Sequence, residues 1–323
     1  MDLLKSIPVR KNYSEPDYVE NFSEHGQILS VHFSPFEWSQ DLILIAFETK
    51  VILAHLNLED APSLKVVSEF NHQCRCTSLC FSPETSLNTM PNAVIFTVAG
   101  SDYKLRVYSS DLRENNTCKL LSGHTSYIND ISYDSDNSYL VSASDDNTVK
   151  IWTTDDYKLK NTFHLTSPGM SVSWHRADEC KLLVAEKIGI IRFYNVEVEV
   201  AIISLDYGKP LISASWGPVD EQLVASLHMG ELVVWDLTKP CLPIHTTILF
   251  NENGGHIRFS PQAELIAATN SIEGSLKVIH VKSQATKLTT TVTLPTNVTW
   301  HYRYPLVCVG DDSKLCFWKV SSK

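Results

Sequence analysis

Short stretches of alternating apolar and polar residues recur along the whole chain, and each of them contains an aromatic residue near its end. The stretches read SVHFSP, SLCFSP, DISYDS, SVSWHR, SASWGP, HIRFSP and NVTWHY. Their aromatic residues are Phe33, Phe81, Tyr133, Trp174, Trp216, Phe259 and Trp300. Alternation with a period of two is typical of a β-strand that buries one face. Seven copies, spaced 41 to 52 residues apart, therefore predict seven small β-sheets.

A second strand signal follows each aromatic residue, as an apolar run that closes on a bulky residue. The closing residues are Tyr108, Trp152, Tyr194, Trp235 and Trp318, with His55 and His280 in the two weaker copies. Turns between the runs carry Asp, Asn and Ser, as in Ser144-Asp145-Asp146-Asn147. A repeat of this length is typical of a propeller blade, a small sheet of four short strands. One such sheet cannot bury both of its faces alone, whereas seven sheets stacked around an axis cover one another. We therefore predict an all-β fold, a single seven-bladed β-propeller.

The ends of the chain predict how the ring closes. The last copy has room for three strands before Val320. The segment DYVENFS, Asp17 to Ser23, precedes the first copy and has the composition of a strand. We predict that this N-terminal strand closes the last blade, since an unpaired seam would otherwise remain. The expected division of the chain is an N-terminal tail, residues 1–16, and a propeller, residues 17–320.

The third copy identifies a family. It reads GHTSYINDISYDSDNSYLVSASDDNTVKIWTTDD, which resembles a WD40 repeat nearly from end to end. The resemblance implies a WD40 propeller and a structural tetrad, the buried hydrogen-bond chain His124, Ser142, Asp146 and Trp152. By the same resemblance, Asp102 and Asp312 are structural turn aspartates, six residues before Tyr108 and Trp318. The other four copies lack this Asp, so we expect them to depend more on packing.

The charge balance narrows the classes of partner. The chain has 27 Lys and Arg against 37 Asp and Glu, a net charge of −10, so we expect no direct contact with nucleic acid or an anionic membrane. The longest apolar run, residues 42–47, is far shorter than a membrane span. The N-terminus shows no signal-peptide core, so the eight cysteines are expected to be reduced thiols.

Candidate catalytic chemistry is weak. His124, Ser142 and Asp146 are the residue types of a hydrolase triad, but Ser142 lies within a predicted strand. A triad needs a nucleophile exposed on a sharp turn, and no Gly-x-Ser-x-Gly motif provides one. We therefore expect no enzyme activity, no catalytic residue and no cofactor.

Two stretches resemble metal sites in part. His72 is followed by Cys74, Cys76 and Cys80, but the second ligand pair of a zinc site is missing. The even spacing of the three thiols predicts one face of a strand, where small thiols fill a core. The stretch Asp134 to Ser138 begins like a calcium loop, but Tyr139 stands where that loop needs glycine. We expect no metal.

The second copy contains the longest insertion. SPETSLNTMPNAVIFTVAG follows Phe81 and is about twice the usual distance to the next strand. Because long loops on a rigid scaffold often bind partners, residues 83–92 are our candidate contact surface. A neutral surface insertion is the alternative. The candidate partner-binding residues are Pro83, Glu84, Thr85, Leu87 and Met90.

Several stretches together resemble one branch of the WD40 proteins. HFSPFEW, CFSPETSLNTMP, LSGHTSYIND, SPGMSVSWH and TWHYRYPLVCVGDDSKLCFW follow in this order from about Val31 to Trp318. The pattern is similar to the small WD-repeat nucleoporins of the Y-shaped outer-ring complex of the nuclear pore. This implies a non-catalytic scaffold at the nuclear envelope, with possible recruitment to kinetochores in mitosis. It also implies a protein partner, a large α-helical solenoid-plus-propeller nucleoporin, and no obligate homo-oligomer.

Other functions of a WD40 propeller remain open. One is the substrate receptor of a cullin-type ubiquitin ligase, which typically carries Trp-Asp-x-Arg, whereas Trp235-Asp236 is followed by Leu237 and Thr238. Another is a reader of peptides or histone tails at an acidic channel mouth. A propeller enzyme would need ionisable residues that converge at the channel mouth, and the sequence offers no recognisable set.

Overall fold

The computed structural model describes residues 15–59, 62–113, 115–262 and 264–320. In these residues the chain forms strands β1 to β28 and one 3-10 turn, Glu37–Ser39. The strands make seven antiparallel sheets of four strands each. The prediction of an all-β, seven-bladed propeller is therefore confirmed. No helix in the described ranges has the length and apolar character to span a membrane.

The strands follow one another blade by blade. Blade 1 contains β2 (Ser30–Phe33), β3 (Leu42–Ala46), β4 (Lys50–Asn57) and β5 (Ser63–Asn71). Blade 2 contains β6 (Cys76–Phe81), β7 (Val94–Gly100), β8 (Leu105–Ser110) and β9 (Asn116–Leu121). Blade 3 contains β10 (Ile128–Tyr133), β11 (Tyr139–Ser144), β12 (Thr148–Thr153) and β13 (Leu159–His164). Blade 4 contains β14 (Gly169–Trp174), β15 (Lys181–Glu186), β16 (Ile190–Asn195) and β17 (Val200–Asp206).

The remaining blades complete the ring. Blade 5 contains β18 (Leu211–Trp216), β19 (Leu223–His228), β20 (Glu231–Asp236) and β21 (His245–Ile248). Blade 6 contains β22 (His256–Phe259), β23 (Leu265–Asn270), β24 (Ser275–His280) and β25 (Thr286–Thr291). Blade 7 contains β26 (Pro295–Trp300), β27 (Leu306–Asp311), β28 (Lys314–Lys319) and β1 (Tyr18–Asn21).

The aromatic residues of the sequence repeat have one structural position. Each of the seven ends the first strand of its blade, and these first strands contact one another around the axis. All seven aromatic side chains are buried. The second set of bulky residues lies in the third strands, where Trp152, Trp235 and Trp318 are also buried. The two periods in the sequence therefore correspond to the inner and the third strand of every blade.

Apolar side chains fill the space between neighbouring blades. Between blades 4 and 5, Phe193 packs edge-on against Trp216 with ring centroids 5.0 Å apart, and Trp235 joins the same cluster. Aromatic pairs in this geometry contribute about 0.5–1.5 kcal/mol beyond their buried area. Because each sheet has neighbours on both faces, alternate residues along a strand support different clusters.

The ring closes through the N-terminal segment, as predicted. Strand β1 pairs antiparallel with β28, and Tyr18 lies opposite Phe317 with ring centroids 5.4 Å apart. The Tyr18 hydroxyl also accepts a hydrogen bond from the Leu64 backbone at 3.1 Å, so the segment contacts blade 1 as well. Phe22 follows β1 and is buried against Phe47. Residues 1–14 of the expected tail lie outside the described residues.

An ion pair crosses the axis of the propeller. Asp130 of blade 3 and Arg258 of blade 6 approach to 3.5 Å, in a cavity of about 200 Å³. Burial raises the pKa of Asp130, although Arg258 and two backbone N–H groups act in the opposite direction. His32 faces the same cavity, and burial lowers its pKa to about 4. The pair links two blades that are not neighbours in the ring.

Candidate functional site

The structure brings the four tetrad residues of blade 3 into one hydrogen-bond chain. The Trp152 indole N–H donates to Ser142 Oγ at 3.0 Å. Ser142 Oγ lies 2.8 Å from His124 Nε2, and His124 Nδ1 lies 2.8 Å from Asp146 Oδ2. Since an ionised carboxylate only accepts, Nδ1 carries the proton, and the neutral ring accepts the Ser142 proton at Nε2. The chain therefore runs from Trp152 through Ser142 and His124 to Asp146.

Electrostatics agree with a structural network. Burial lowers the pKa of His124, and Asp146 offsets this only in part, so the imidazole stays neutral near pH 7. Burial alone would raise the pKa of Asp146, but hydrogen bonds from Thr148, Thr125 and His124 lower it. The Asp146 carboxylate thus joins two loops of blade 3, and Ser142, which is completely buried, has no access to a substrate.

Asp102 and Asp312 occupy matching turns but make other contacts. Asp102 forms a bidentate ion pair with Arg106, whose two terminal guanidinium nitrogens lie 2.9 and 2.8 Å from the carboxylate oxygens. This pair lowers the pKa of Asp102. In blade 7 it is Asp311 whose side chain accepts a hydrogen bond, from the Leu294 backbone at 3.0 Å. Asp312 instead takes a backbone φ of 55° in the turn, which Asp tolerates better than most residues.

Blade 7 also shows what the missing hydroxyl costs. In blade 3, Ser142 lies opposite Lys150, the residue two positions before Trp152. In blade 7, Val309 lies opposite Cys316, the residue two positions before Trp318. Val309 therefore takes the place of Ser142. Within the described structure the buried Trp318 indole nitrogen has no hydrogen-bond partner. Blade 7 therefore rests on packing around Trp318, although Asp312 placed it among the copies that carry the turn aspartate.

Blades 4, 5 and 6 replace the network with other buried polar residues, which the sequence reasoning missed. Glu186 accepts hydrogen bonds from the Thr166 and Ser167 backbones at 2.8 and 3.0 Å. His228 Nδ1 lies 2.9 Å from the Lys209 carbonyl, and the Asn270 amide donates to the Glu252 carbonyl at 2.9 Å. Each residue ends the second strand of its blade and ties it to the loop that precedes the first strand of the same blade. These three copies do without the network of blade 3, as expected, but each adds a buried polar tie to the packing between blades.

A sequence signal for these three residues does exist. LLVAE, LVASLH and LIAATN are apolar strands that end on a polar residue. Because a buried polar group needs a partner, such a residue at the end of a buried strand predicts a tie to a neighbouring loop. The identity of the loop follows only from the fold.

The second-copy loop, residues 83–92, lies beside blades 1 and 3. The Trp38 indole donates to the Pro83 carbonyl at 2.8 Å, and the Asn137 amide donates to Glu84 at 2.9 Å. Met90 is 76% exposed at the tip, and Leu87 is half-buried against the core between blades 1 and 2.

Two of the five candidate contact residues in this loop are inaccessible. Thr85 is completely buried, and its hydroxyl donates to the Ile95 carbonyl at 2.6 Å. Pro83 is also buried, although its carbonyl is used by Trp38. The expectation that the Thr85 and Pro83 side chains face a partner is therefore wrong, because both anchor the base of the loop. Glu84, Leu87 and Met90 are the accessible members.

The three thiols do not share one strand face, contrary to expectation. A β-bulge interrupts the pairing of β6 between Cys76 and Ser78, and an extra residue moves the side chains beyond it to the other face. Cys76 consequently packs in the cluster between blades 1 and 2, and Cys80 in the cluster between blades 2 and 3. Cys74 precedes the strand, 3.6 Å from Asp102.

The described residues contain no group of three or more His, Cys, Asp or Glu side chains placed to hold a metal ion. The stretch that resembles the start of a calcium loop is a strand connection. Asp134 is buried and accepts the Tyr139 N–H at 3.1 Å, and burial raises its pKa to about 6.

Comparisons with known proteins agree with the repeat. The family model "WD domain, G-beta repeat" matches residues 115–153, which include most of blade 3. Nucleoporin Nup37 of Drosophila melanogaster is 34% identical over 323 aligned residues, 96% of this chain and 98% of the relative. Nucleoporin Nup37 of Mus musculus is 33% identical over 89% of this chain and 92% of the relative, and that of Homo sapiens is 32% identical over the same shares. With this similarity along nearly the whole propeller, the chain belongs to the nucleoporin Nup37 family of WD-repeat proteins.

Proposed function

We propose that the protein is a non-catalytic scaffold subunit of the Y-shaped outer-ring complex of the nuclear pore. Its propeller docks on a large α-helical solenoid-plus-propeller nucleoporin and supports pore assembly and nucleocytoplasmic transport. The observation that carries this proposal is the similarity to nucleoporin Nup37 over 96% of the chain and 98% of the fly relative. Family membership gives a nucleoporin role at the nuclear pore; the complex, the partner and a mitotic role at kinetochores are proposed.

The architecture suits an adaptor. All seven blades are sealed against their neighbours, and β1 pairs with the edge of β28 that would otherwise stay open. A preformed surface loses little conformational entropy when it binds, so more of the contact energy appears as affinity. The net charge of −10 favours a protein partner over nucleic acid, and chromatin contacts would then pass through other subunits.

The accessible part of the second-copy loop is the proposed contact with this partner. Met90 exposes 76% of its surface at the tip of the loop, and Glu84 is exposed near the base of the loop. The base of the loop is fixed by Trp38 and by buried Thr85. An exposed apolar tip and an exposed charge on a loop with a fixed base are the combination expected of a contact loop.

Combining Glu84→Lys with Met90→Asp should reduce recovery of the helical outer-ring nucleoporin in a pull-down about tenfold or more. The loss of the apolar contact and the reversal of the charge each oppose docking, and tenfold corresponds to about 1.4 kcal/mol. Leu120→Asp is the matched control, since Leu120 is 49% exposed on the outer strand of blade 2. Unchanged recovery with the double variant would place the contact elsewhere.

A further inference from the structure

The turns between the second and third strands form one end of the propeller, opposite the second-copy loop. In blades 2, 3 and 4 these turns have the same length, because they lie between the pairs Ala99–Leu105, Ala143–Val149 and Ala185–Ile191. The middle residue of each turn is Asp102, Asp146 and Ile188 respectively. Ile188 therefore occupies a position that carries aspartate in the two preceding blades.

The same exchange occurs in the shorter turns. Blades 5 and 7 have two-residue turns between the pairs His228–Glu231 and Asp311–Lys314. The first turn residue is Met229 in blade 5, with a φ of 47°, and Asp312 in blade 7, with a φ of 55°. Left-handed backbone favours Gly, Asn and Asp, so a methionine there is less stable than the alternatives. Blade 6 continues the series with Ile272 at its turn.

These three apolar side chains are exposed to solvent. Ile188 is 53% exposed, Met229 45% and Ile272 64%. A single exposed aliphatic residue is ordinary, but here the same turn exposes an apolar side chain in three consecutive blades, and we call these three side chains the patch. The buried residues Glu186, His228 and Asn270 take over the tie to the neighbouring loop in the same blades. The turn positions of blades 4 to 6 are thereby released from the structural role that Asp146 has in blade 3.

The turns are fixed in place by backbone contacts. The Gly230 carbonyl accepts hydrogen bonds from Leu249 and Phe250 at 2.9 and 3.0 Å, and the Gly274 carbonyl accepts one from Val292 at 2.8 Å. In blade 4, a side chain on Gly189 would lie 2.1 Å from the Lys209 carbonyl oxygen, so the turn and the next loop are in close contact. The apolar side chains between these anchors cannot fold into the core.

These contacts also decide which kind of segment fits. A β-strand docks through a free row of backbone N–H and C=O groups, whereas the backbone of these turns is already paired with the neighbouring loops. The surface offers side chains, and an amphipathic α-helix binds through side chains at i, i+3, i+4 and i+7.

Charges at the two ends of the patch give the helix a polarity. Lys187 is exposed beside Ile188 in blade 4. Glu252 is exposed in the loop next to Ile272, and Glu273 follows Ile272 directly. In the middle, Lys209 and Glu231 neutralise each other at 2.8 Å. A complementary helix therefore carries acidic residues at its blade 4 end and basic residues at its blade 6 end.

We propose that Ile188, Met229 and Ile272 form a docking surface for an amphipathic α-helix of another protein, with an apolar stripe and charges of this polarity. The surface lies at the end of the propeller away from the second-copy loop, because the connections of an antiparallel blade alternate between its two ends. It is independent of the contact proposed for Glu84 and Met90, and it allows one propeller to hold two segments at once.

Photo-crosslinking in cells tests this surface with the full chain. Ile188→benzoylphenylalanine, Met229→benzoylphenylalanine and Ile272→benzoylphenylalanine are compared with Asn147→benzoylphenylalanine, in the matching turn of blade 3. We expect adducts at the first three positions, with attachment sites in neighbouring blades about seven residues apart in one partner segment, because stacked sheets lie about 10 Å apart and a helix rises about 1.5 Å per residue. Acidic residues should flank the Ile188 site, and basic residues the Ile272 site. No excess over Asn147, adducts between two copies of this chain, or attachment sites without helical spacing would overturn the proposal.

Two further variants keep the result independent of folding. Ile188→Asp and Met229→Asp insert the residue that the same turns carry in blades 2, 3 and 7, so both should melt within about 2 °C of the unmodified chain. Each should lower the adduct yield at position 272 about fivefold to tenfold, since it removes one apolar contact from the helix. An unchanged yield from a normally folded variant contradicts the shared surface.

Discussion

Deletion of residues 1–23 should lower the melting temperature by about 10 °C or more and cause concentration-dependent aggregation. The deletion removes β1, whose four residues pair with β28, and it removes Phe22 from the core between blades 7 and 1. Loss of a buried phenylalanine alone costs about 3–5 kcal/mol. The Tyr18 contacts with Phe317 and Leu64 are lost as well. An unfolding entropy of about 2.1 cal/mol/K per residue corresponds to about 1.5 °C per kcal/mol for a chain of this length, so a combined loss of about 7 kcal/mol from the buried side chain, the ring contact and the strand hydrogen bonds lowers the melting temperature by about 10 °C.

Aggregation follows from the exposed edge. Without β1, the outer edge of β28 presents unpaired backbone groups next to Cys316 and Phe317, which are buried in the intact protein. Such an edge pairs readily with other chains. Calorimetry and light scattering over a range of protein concentrations measure both effects.

A shorter deletion provides the matched control. Removal of residues 1–14 retains β1 and the Asp17 contacts with Phe317 and Lys319. We propose that the propeller domain begins at residue 17, so this variant should melt like the full chain. If removal of residues 1–23 also left the melting temperature unchanged, the N-terminal segment would not seal the ring.

The second large effect is expected for Ser142→Ala, which should reduce the free energy of unfolding by about 2–4 kcal/mol. Ser142 Oγ is the shared partner of Trp152 Nε1 and His124 Nε2, and the residue is completely buried. Alanine leaves both nitrogen atoms buried and unpaired, and each unsatisfied group costs about 1–3 kcal/mol. Urea unfolding monitored by tryptophan fluorescence measures the change.

Ser135→Ala serves as the control for this measurement. Ser135 is exposed in the connection between β10 and β11 of the same blade, so its loss should change stability by less than about 0.5 kcal/mol. A Ser142→Ala variant as stable as the control would show that packing around Trp152, and not the hydrogen-bond chain, holds blade 3 together.

The fold could be predicted from the sequence because each blade repeats the same demand. An inner strand must end on a large buried residue such as Trp174, and a third strand must bury one such as Trp152. The first demand recurs in seven blades and the second in five, so the number of blades follows from counting the first. The N-terminal closure was predictable for a related reason, because three strands in the last copy leave one edge without a partner.

Local irregularities were not predictable in the same way. The bulge between Cys76 and Cys80 leaves no mark in the alternating sequence pattern. It nevertheless moves the side chains that follow it to the opposite face of the strand, and so into a different core cluster. Likewise, Thr85 reads as an ordinary loop residue until Ile95 is seen to take its hydroxyl. Both depend on which residues lie opposite, and that information exists only after the chain has folded.

The candidate contact surfaces were also predictable from the sequence only in part. The length of the second-copy loop was visible in the sequence, but the burial of Pro83 was not. The apolar turns have no signal of their own in the sequence, because the fourth copy differs from the third there only by the lack of an aspartate. Matching the turns by strand register shows that Ile188 stands in the place of Asp146. A departure from a repeat can therefore indicate a surface as well as a weaker copy.

Affinity purification tests whether this propeller is an adaptor of the nuclear-pore outer ring. The full chain, tagged at its C-terminus, is isolated from nuclear-envelope extract, and the bound proteins are quantified by mass spectrometry against an unrelated tagged propeller. We expect enrichment of outer-ring scaffold subunits, led by the large helical nucleoporin, in amounts close to one copy per propeller. Enrichment of a cullin and its adaptor, or of histones, in place of these subunits would contradict it.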